Sequence, residues 1–474
     1  MMDDQLAHWI ITRCVEFTKS SSTSYDPRVQ VTTIQTLNGM LSSWYPDDLL
    51  EVLYQYGTLD NFFNDFIPSL ELNHTQLLCQ YSYQTRGLPV VKHDGSAMFV
   101  ITKDITEFLP VQHVCCDLDK EIREVTTNMA MTNESYVHRN EIRSKLNTML
   151  NNSWFNRGLQ VSTFGSTATG LGTDNADLDL CISGPCFQPL DDPIKLKKTE
   201  GSIYNMTFLA RKLRKIGMRQ VKPITAAHVP ICKFRDPRFK INCDINTNNL
   251  HGIENTNMII QYMHLDTRIR PVLFALKLFI EAKEINNTRR GFLNSYAFIL
   301  IALHYLMYVQ EPPVIPCLQN LSLKSCITGT CNNNEKRTIQ GRDVRYHSCI
   351  RVVNTMAPQF DSKTVSQDNN PTLWYGKNTK NVGDLILELF AWMSNPFNLV
   401  KPMSLTINGH VHLPWGWKGS QVVFPDPFDP DRNIARSCTS AGVETISQEF
   451  KLACDTLNKG LKFMDVLKPN NYAT

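Results

Sequence analysis

The spacing of hydrophobic and polar positions changes along the chain and divides it into three stretches. In the first, "YPDDLLEVLYQYG" reads as a helix with Asp47 or Asp48 as N-cap and Gly57 as stop, and "TLDNFFNDF" reads as a second short helix. "LLCQYSY" and "AMFVITK" then flank a stretch bearing Gly, Pro and Asp, which predicts a hairpin. Two helices and a hairpin suit a small winged-helix-like domain over residues 1–112. A capping or interaction domain without chemistry of its own fits the same pattern. Only "KSSSTSY", 19–25, has the composition of a loose linker.

The second stretch, 113–265, mixes both periods. Residues 117–151 are helical by pattern, "GLQVSTFGS" runs as a strand into a Gly turn, and "ADLDLCIS" is a second strand. "SIYNMTFLARKLRKIGM" is an amphipathic helix ended by Gly217, followed by the strands "HVPICKFR" and "FKINCDIN". The third stretch, 266–465, is mainly helical. Its longest apolar run, "AFILIALHYLMYV", contains His304 and falls short of the ~18 residues of a membrane span, so it predicts a buried core helix and no membrane partner. An insertion rich in Asn, Ser and Thr interrupts this part around 319–370.

Composition narrows the picture only a little. A chain of 474 residues is too long for one core, which predicts two to three domains. A net charge of +3 is too mild to announce a nucleic-acid binder, so local patches must carry that case. Fourteen cysteines, many inside apolar runs, read as reduced thiols of a cytoplasmic or nuclear protein. "MMDDQLAHWI" opens with acids where a signal peptide carries a basic segment.

Candidate chemistry sits in "FGSTATGLGTDNADLDLCI". Residues two apart on a strand share a face, so Asp177 and Asp179 project together while Leu178 and Leu180 enter the core. Adjacent carboxylates repel unless a cation lies between them. Mg²⁺ or Mn²⁺ fits that need, and a pair of such ions can clamp the attacking and leaving oxygens of a phosphoryl transfer. Asp244, a lone acid in the alternating strand "FKINCDIN", supplies a third carboxylate. Upstream, Gly165 lets the backbone approach phosphate closely, and Ser166 adds a hydroxyl and an N–H.

Gly-Ser, Asp-x-Asp on a strand and Asp on a later strand together resemble the nucleotidyltransferases of the DNA polymerase β superfamily. Within it, the chain is similar to the noncanonical terminal nucleotidyltransferases, which include cytoplasmic poly(A) polymerases and terminal uridylyltransferases. The resemblance covers roughly 113–460 and implies an α+β fold: a polymerase-β-like α/β nucleotidyltransferase domain packed across a cleft from a mainly helical domain. It implies that Gly165 and Ser166 hold the nucleotide phosphates, that Asp177 and Asp179 bind two catalytic metals, and that Asp244 helps activate an RNA 3′ hydroxyl. In "NNLHGIENTNMI" it places Asn255 and Thr256 at the ribose, although an Asn-Thr pair also caps helices.

In the helical part Lys277 is expected at the triphosphate, or to snorkel as lysines on apolar helices do. Uridine-transferring relatives often carry a second lysine one turn later; here that position is Glu281, which can pair with Lys277 at i,i+4, and Lys283 lies on another face. "RRGFLNSYAF" resembles the nucleotide-binding segment: Tyr296 would stack on the base or pack in the core, with Ser295 or Asn294 bonding nearby. "FPDPFDPDRNIARS" resembles the recognition motif through Asn433 and Arg436. Many uridine-preferring members place a histidine just before that Asn, and this chain has Arg432, which favours ATP over UTP as substrate.

A single RNA strand calls for a cationic groove. Arg211, Lys212, Arg214 and Lys215 on one helix, and Arg289 with Arg290, are the candidates, with a solvated helix face as the equal alternative for the first four. No RNA-recognition motif or zinc knuckle is visible, so targeting calls for a partner protein or the N-terminal domain. Cys326, Cys331, His347 and Cys349 in the insertion match no standard zinc spacing, which predicts scattered loop thiols. The expected activity is template-independent addition of AMP from ATP to RNA 3′ ends, with uridylylation as the alternative. A non-catalytic RNA scaffold would show a broken aspartate triad, and transferases acting on small molecules do not usually carry the helical recognition motif.

Overall fold

The computed structural model describes three strands within the first 112 residues and then residues 116–468, apart from 186, 188–200, 227–228, 320–330, 334–336, 355–372, 407–416 and 418. The chain forms two compact units, 1–112 and 113–474. In the first, β1 (Val29–Thr33) and β2 (Leu77–Gln80) both pair antiparallel with β3 (Met98–Thr102). The β2–β3 pair joins the two segments expected to form a hairpin, and β1 adds an edge that local pattern did not announce. The helices expected near Asp47 and Gly57 and the linker at 19–25 lie outside the described residues.

The second unit opens with α1 (Cys116–Asn128) and α2 (Asn133–Ser153), the latter capped by Thr132, whose hydroxyl accepts from the Ser135 N–H. A five-stranded sheet follows, with strands β4 (Gln160–Phe164), β5 (Leu178–Ser183), β6 (Arg219–Ile224), β7 (Ile231–Arg235) and β8 (Asn242–Thr247) in the order β4-β5-β8-β7-β6. Only β5 and β8 run parallel. The short α3 (Gly165–Thr169) links β4 to β5, and α4 (Met206–Lys215) packs on β6 and β7. Leu178, Leu180 and Ile182 of β5 are fully buried in one core cluster with Leu146 of α2 and Leu209 and Leu213 of α4. Burying each such side chain contributes roughly 1.5–3 kcal/mol, enough to fix which face of β5 meets the core. Asp179, the acid of the strand, is thereby placed on the opposite face.

A second core is helical. It is built on α5 (Leu250–Leu265), α6 (Ile269–Ala282), α7 (Ser295–His304), α8 (Val382–Met393), α9 (Pro396–Val400), α10 (Ser440–Asn458) and α11 (Phe463–Val466). Phe279, Phe390 and Phe450 meet at its centre, with ring centroids 4.8 and 5.1 Å apart. Helix α1, a sequence neighbour of the α/β part, packs here through Leu118 and Ile122, because its apolar stripe faces α8 and α6. The apolar run 297–309 is α7 continued by a π-helical turn and is almost wholly buried. Among the described residues no helix is long and apolar enough to cross a membrane. Between α7 and α8 lie the hairpin β9 (Thr338–Ile339) and β10 (Arg342–Asp343), and the parallel pair β11 (Arg351–Asn354) and β12 (Leu373–Gly376). A last hairpin, β13 (Pro425–Asp426) with β14 (Asp429–Asn433), precedes α10.

Candidate active site

Sheet register brings the carboxylates together. Asp179 on β5 is paired with Asp244 on β8, and Asp244 in turn with Lys233 on β7, so the three side chains form a row across adjacent strands. Asp177 stands one residue before β5, exposed, rather than within the strand as the alternation suggested. Its loop is pinned instead. The buried Arg139 of α2 donates to the Asp174 and Ala176 carbonyls at 3.0 and 2.7 Å, and the Thr132 N–H and hydroxyl both donate to the Asp174 carboxylate.

The electrostatics of the row ask for a cation. Burial above all, then Asp244 and Asp177, pushes the Asp179 carboxyl from 3.8 to about 7, against the pull of Lys233 and Lys277. Burial likewise raises Asp244, although Lys233 donates to it at 2.5 Å and opposes the rise. Three carboxylates with no nitrogen or sulfur donor form a hard, all-oxygen set of the kind that suits Mg²⁺ or Mn²⁺. Lys233 was not among the sequence candidates. Its signal was present, since Cys232 and Phe234 face the core and leave Lys233 on the face of Asp244, but only the order of the strands makes them neighbours.

Gly165 is the second component. Its φ is +66°, and a Cβ there would stand 2.6 Å from the Asp179 carboxylate, so only glycine leaves the space above that oxygen open. The Gly165 N–H donates to Thr256 Oγ1 at 3.0 Å, and that hydroxyl donates to the Gly252 carbonyl. Thr256, expected at the ribose, is thus a buried post holding the turn. Ser166 is the first residue after Gly165 in α3.

Opposite, the helical part gathers the recognition residues. Lys277 is buried, adds its charge to the field at Asp179, and pairs with Glu281 at the i,i+4 spacing expected. Asn255 donates to Asp426 at 3.2 Å, while its own Oδ1 is buried without a hydrogen-bond partner. Tyr296 is half-buried. Its hydroxyl is shielded and equally unpartnered, and burial followed by the Asp426 charge drives its pKa well above the usual value. Arg432 approaches Asp426 to 4.0 Å with its side chain 47% exposed. His251, absent from the sequence candidates, completes the group: it feels Asp426, Asp429, Arg342 and Arg432, and its Nε2 is buried without a partner. Orphaned polar atoms on Asn255, Tyr296 and His251, all in the field of Asp426 or bonded to it, are what a site that meets polar ligand edges presents.

Two asparagines take structural roles instead. Asn294 caps α7 by accepting from Ala297 N–H at 2.8 Å, and Ser295 accepts from Asn286 at 3.0 Å. Asn433 accepts from the Phe424 and Ala435 N–H groups and donates to the Val422 carbonyl, so it braces the chain around the hairpin. Arg436 is exposed. On α4, Arg211 and Lys212 each lie 5.2 Å from the Phe208 ring, Arg214 donates to the Val221 carbonyl, and Lys215 is exposed. Arg290 pairs with Glu284 at 2.9 Å, and Arg289 is exposed. The loop thiols are not scattered: one ligand atom each from Cys331, His347 and Cys349 lie within 4.8 Å of one another. Cys326 lies outside the described residues.

Comparison with known proteins agrees with this layout. Residues 118–264 match the family model described as "Poly(A) RNA polymerase, mitochondrial-like, central palm domain". The chain is 29% identical over 325 residues to human terminal uridylyltransferase 7, covering 66% of this chain and 19% of that protein. It is also 29% identical over 281 residues to the human poly(A) RNA polymerase GLD2, covering 58% of this chain and 50% of that protein. The chain thus spans half or less of these relatives. With poly(A) RNA polymerase cid11 of Schizosaccharomyces pombe the identity is 24% over 379 residues, covering 76% and 69%. The Cid1 poly(U) polymerase structure bound to MgGTP superposes with a TM-score of 0.58 at 23% identity, over 74% of this chain and 99% of that one, and establishes the shared fold.

Proposed function

We propose that this chain, which belongs to the noncanonical poly(A) polymerase and terminal nucleotidyltransferase family, adds AMP from ATP to the 3′ end of single-stranded RNA. The observation that carries the reading is the row of Asp179, Asp244 and Lys233, with Asp177 beside it and the Gly165 turn above it. Divalent ions held by Asp177, Asp179 and Asp244 would supply charge neutralisation at the α-phosphate and acidify the attacking hydroxyl. A bond then forms between the RNA 3′ oxygen and the α-phosphorus, the bond to the bridging oxygen breaks, and pyrophosphate leaves. Asp244 is the group for the hydroxyl proton, with Lys233 countering the pKa rise that burial imposes. Gly165 and Ser166 present backbone N–H and hydroxyl groups to phosphate, and Lys277 meets charge on the leaving group by exchanging its Glu281 partner.

Arg432 supports ATP. It occupies the place where many uridine-preferring members carry histidine, and the exposed half of its side chain leaves the wall near Tyr296 without that narrowing group. Uridylylation is the second reading, favoured by equal identity to a protein named for each activity. An RNA-binding partner for targeting and a cytoplasmic location are part of the same proposal; the described cysteines are free thiols, which suits that compartment.

The test is extension of a labelled single-stranded RNA with each NTP and with all four together, in Mg²⁺ or Mn²⁺, beside Asp177→Ala. A ladder with ATP that vanishes in the variant is the expected result. A UTP ladder overturns the base assignment. No extension by folded protein, with candidate partners supplied, favours a scaffold. Arg432→His should move the ATP:UTP ratio toward UTP by about tenfold, the value of one good discriminating contact.

A further inference from the structure

We propose that Cys331, His347 and Cys349 bind a structural zinc ion that fastens the 331–350 segment beneath the nucleotide-recognition hairpin. Tetrahedral zinc, with bonds of about 2.3 Å to sulfur and 2.0–2.1 Å to nitrogen, sets its ligand atoms about 3.5–3.8 Å apart. Here one atom from each residue lies within 4.8 Å of the other two. Cys331 and His347 are 6% and 2% exposed, and neither thiol is in a disulfide.

The surroundings hold the set in place. The His347 N–H donates to the Leu318 carbonyl at 2.9 Å, and the Asn332 N–H donates to Ser348 Oγ at 3.0 Å, which ties the stretch bearing Cys331 to the stretch bearing the other two ligands. The Asn333 amide group lies 3.1 Å from His347 Nε2; with its oxygen turned toward the ring it would accept from Nε2–H, the outer hydrogen bond that leaves Nδ1 for a metal. Two thiolates and an imidazole select zinc over magnesium, whereas the Asp177, Asp179 and Asp244 set selects the reverse, so the two sites are chemically separable. A solvent molecule would complete the coordination.

The position explains what the ion does. Val344, Tyr346 and Ile350 anchor the end of the segment in the helical core, whereas no apolar side chain is buried among the described residues from 332 to 343, which is where an ion would add a staple. Between Cys331 and His347 it carries Arg337, paired with Glu254 beside Asn255, and Arg342, paired with Asp429 at 3.2 Å and Asp431 at 2.7 Å beside Arg432. The β9–β10 hairpin is therefore braced against both walls of the recognition site, and the zinc closes its base. Loss of the ion loosens Arg337 and Arg342 without touching the carboxylates.

The experiment is metal analysis of the full chain after exhaustive dialysis, with absorption spectra of the cobalt-substituted protein, for the parent, Cys349→Ser and Asp177→Ala. The parent and Asp177→Ala should each retain one zinc per chain and show a near-ultraviolet thiolate-to-cobalt band. Cys349→Ser should weaken metal affinity by at least about tenfold and raise the KM for NTP while leaving kcat nearly unchanged. The band reports thiolate ligation directly, so the result stands or falls apart from the nucleotidyl-transfer reading. If the variant does not fold, the parent spectrum still decides. Parent protein without zinc or the band, a band undiminished in folded Cys349→Ser, or a Cys331–Cys349 disulfide found by mass spectrometry overturns the proposal.

Discussion

Replacing Asp179 by Asn should stabilise the metal-free protein, and by an amount that depends on pH. The Asp179 carboxyl is raised from 3.8 to about 7, chiefly by burial and then by its two acidic neighbours. Between those values the folded chain keeps the proton that the unfolded chain has released. Stability is therefore greatest below about pH 4, falls as pH climbs toward 7, and stays low above it. At about 1.4 kcal/mol per pH unit the ceiling is near 4 kcal/mol at pH 8, and roughly 2.6 kcal/mol of it accrues between pH 5 and pH 8. Asn keeps the shape and removes the titration, so packing differences cancel when the two pH values are compared. In EDTA, chemical denaturation should show the margin of Asp179→Asn over the parent widening by about 2 kcal/mol from pH 5 to pH 8 once solvent screening is allowed for. Adding Mg²⁺ at pH 8 should close that margin from the parent's side alone. A margin that does not change with pH, or that shrinks, would refute the view that burial, with the neighbouring acids, holds the Asp179 carboxyl against ionisation.

Three further outcomes follow from the same geometry. Gly165→Ala forces a left-handed backbone on a residue with a Cβ and drives that carbon to 2.6 Å from Asp179, so it should cost about 1–2 kcal/mol of stability and reduce nucleotide incorporation at least about tenfold in steady-state assays. Lys233→Met removes the donor that opposes the rise in Asp244, so the acid limb of the pH–rate profile should move to higher pH; an unmoved limb would exclude Asp244 as the group titrating there. Replacing Arg211, Lys212 and Lys215 together by Ala should lower the slope of log affinity against log salt for single-stranded RNA by about 2, and an unchanged slope would assign that helix face to solvent.

The acidic strand was legible because its information is local. Alternation in "ADLDLCIS" separates buried leucines from the Asp179 face, and a glycine before a short helix has few other uses. Lys233 was not legible, because a lysine alternating with Cys232 and Phe234 looks like any solvated strand position until β7 is known to lie beside β8. Asp177 was misplaced by one residue for a related reason: its loop is set by Arg139, a residue of another helix reaching across. Asparagines carry two kinds of information at once: Asn294 and Asn433 sit in motifs that look like ligand contacts, and short amides also satisfy backbone groups readily, as both do here. The cysteines show the same limit most clearly. Zinc spacings that can be read from sequence belong to ligands carried on one or two rigid turns, whereas Cys331 meets His347 and Cys349 only after a hairpin has folded back and been braced by Arg337 and Arg342. Where ligands converge through tertiary bracing in this way, the bracing contacts and the metal should be energetically coupled, so weakening Arg342 should loosen zinc as surely as losing zinc loosens Arg342.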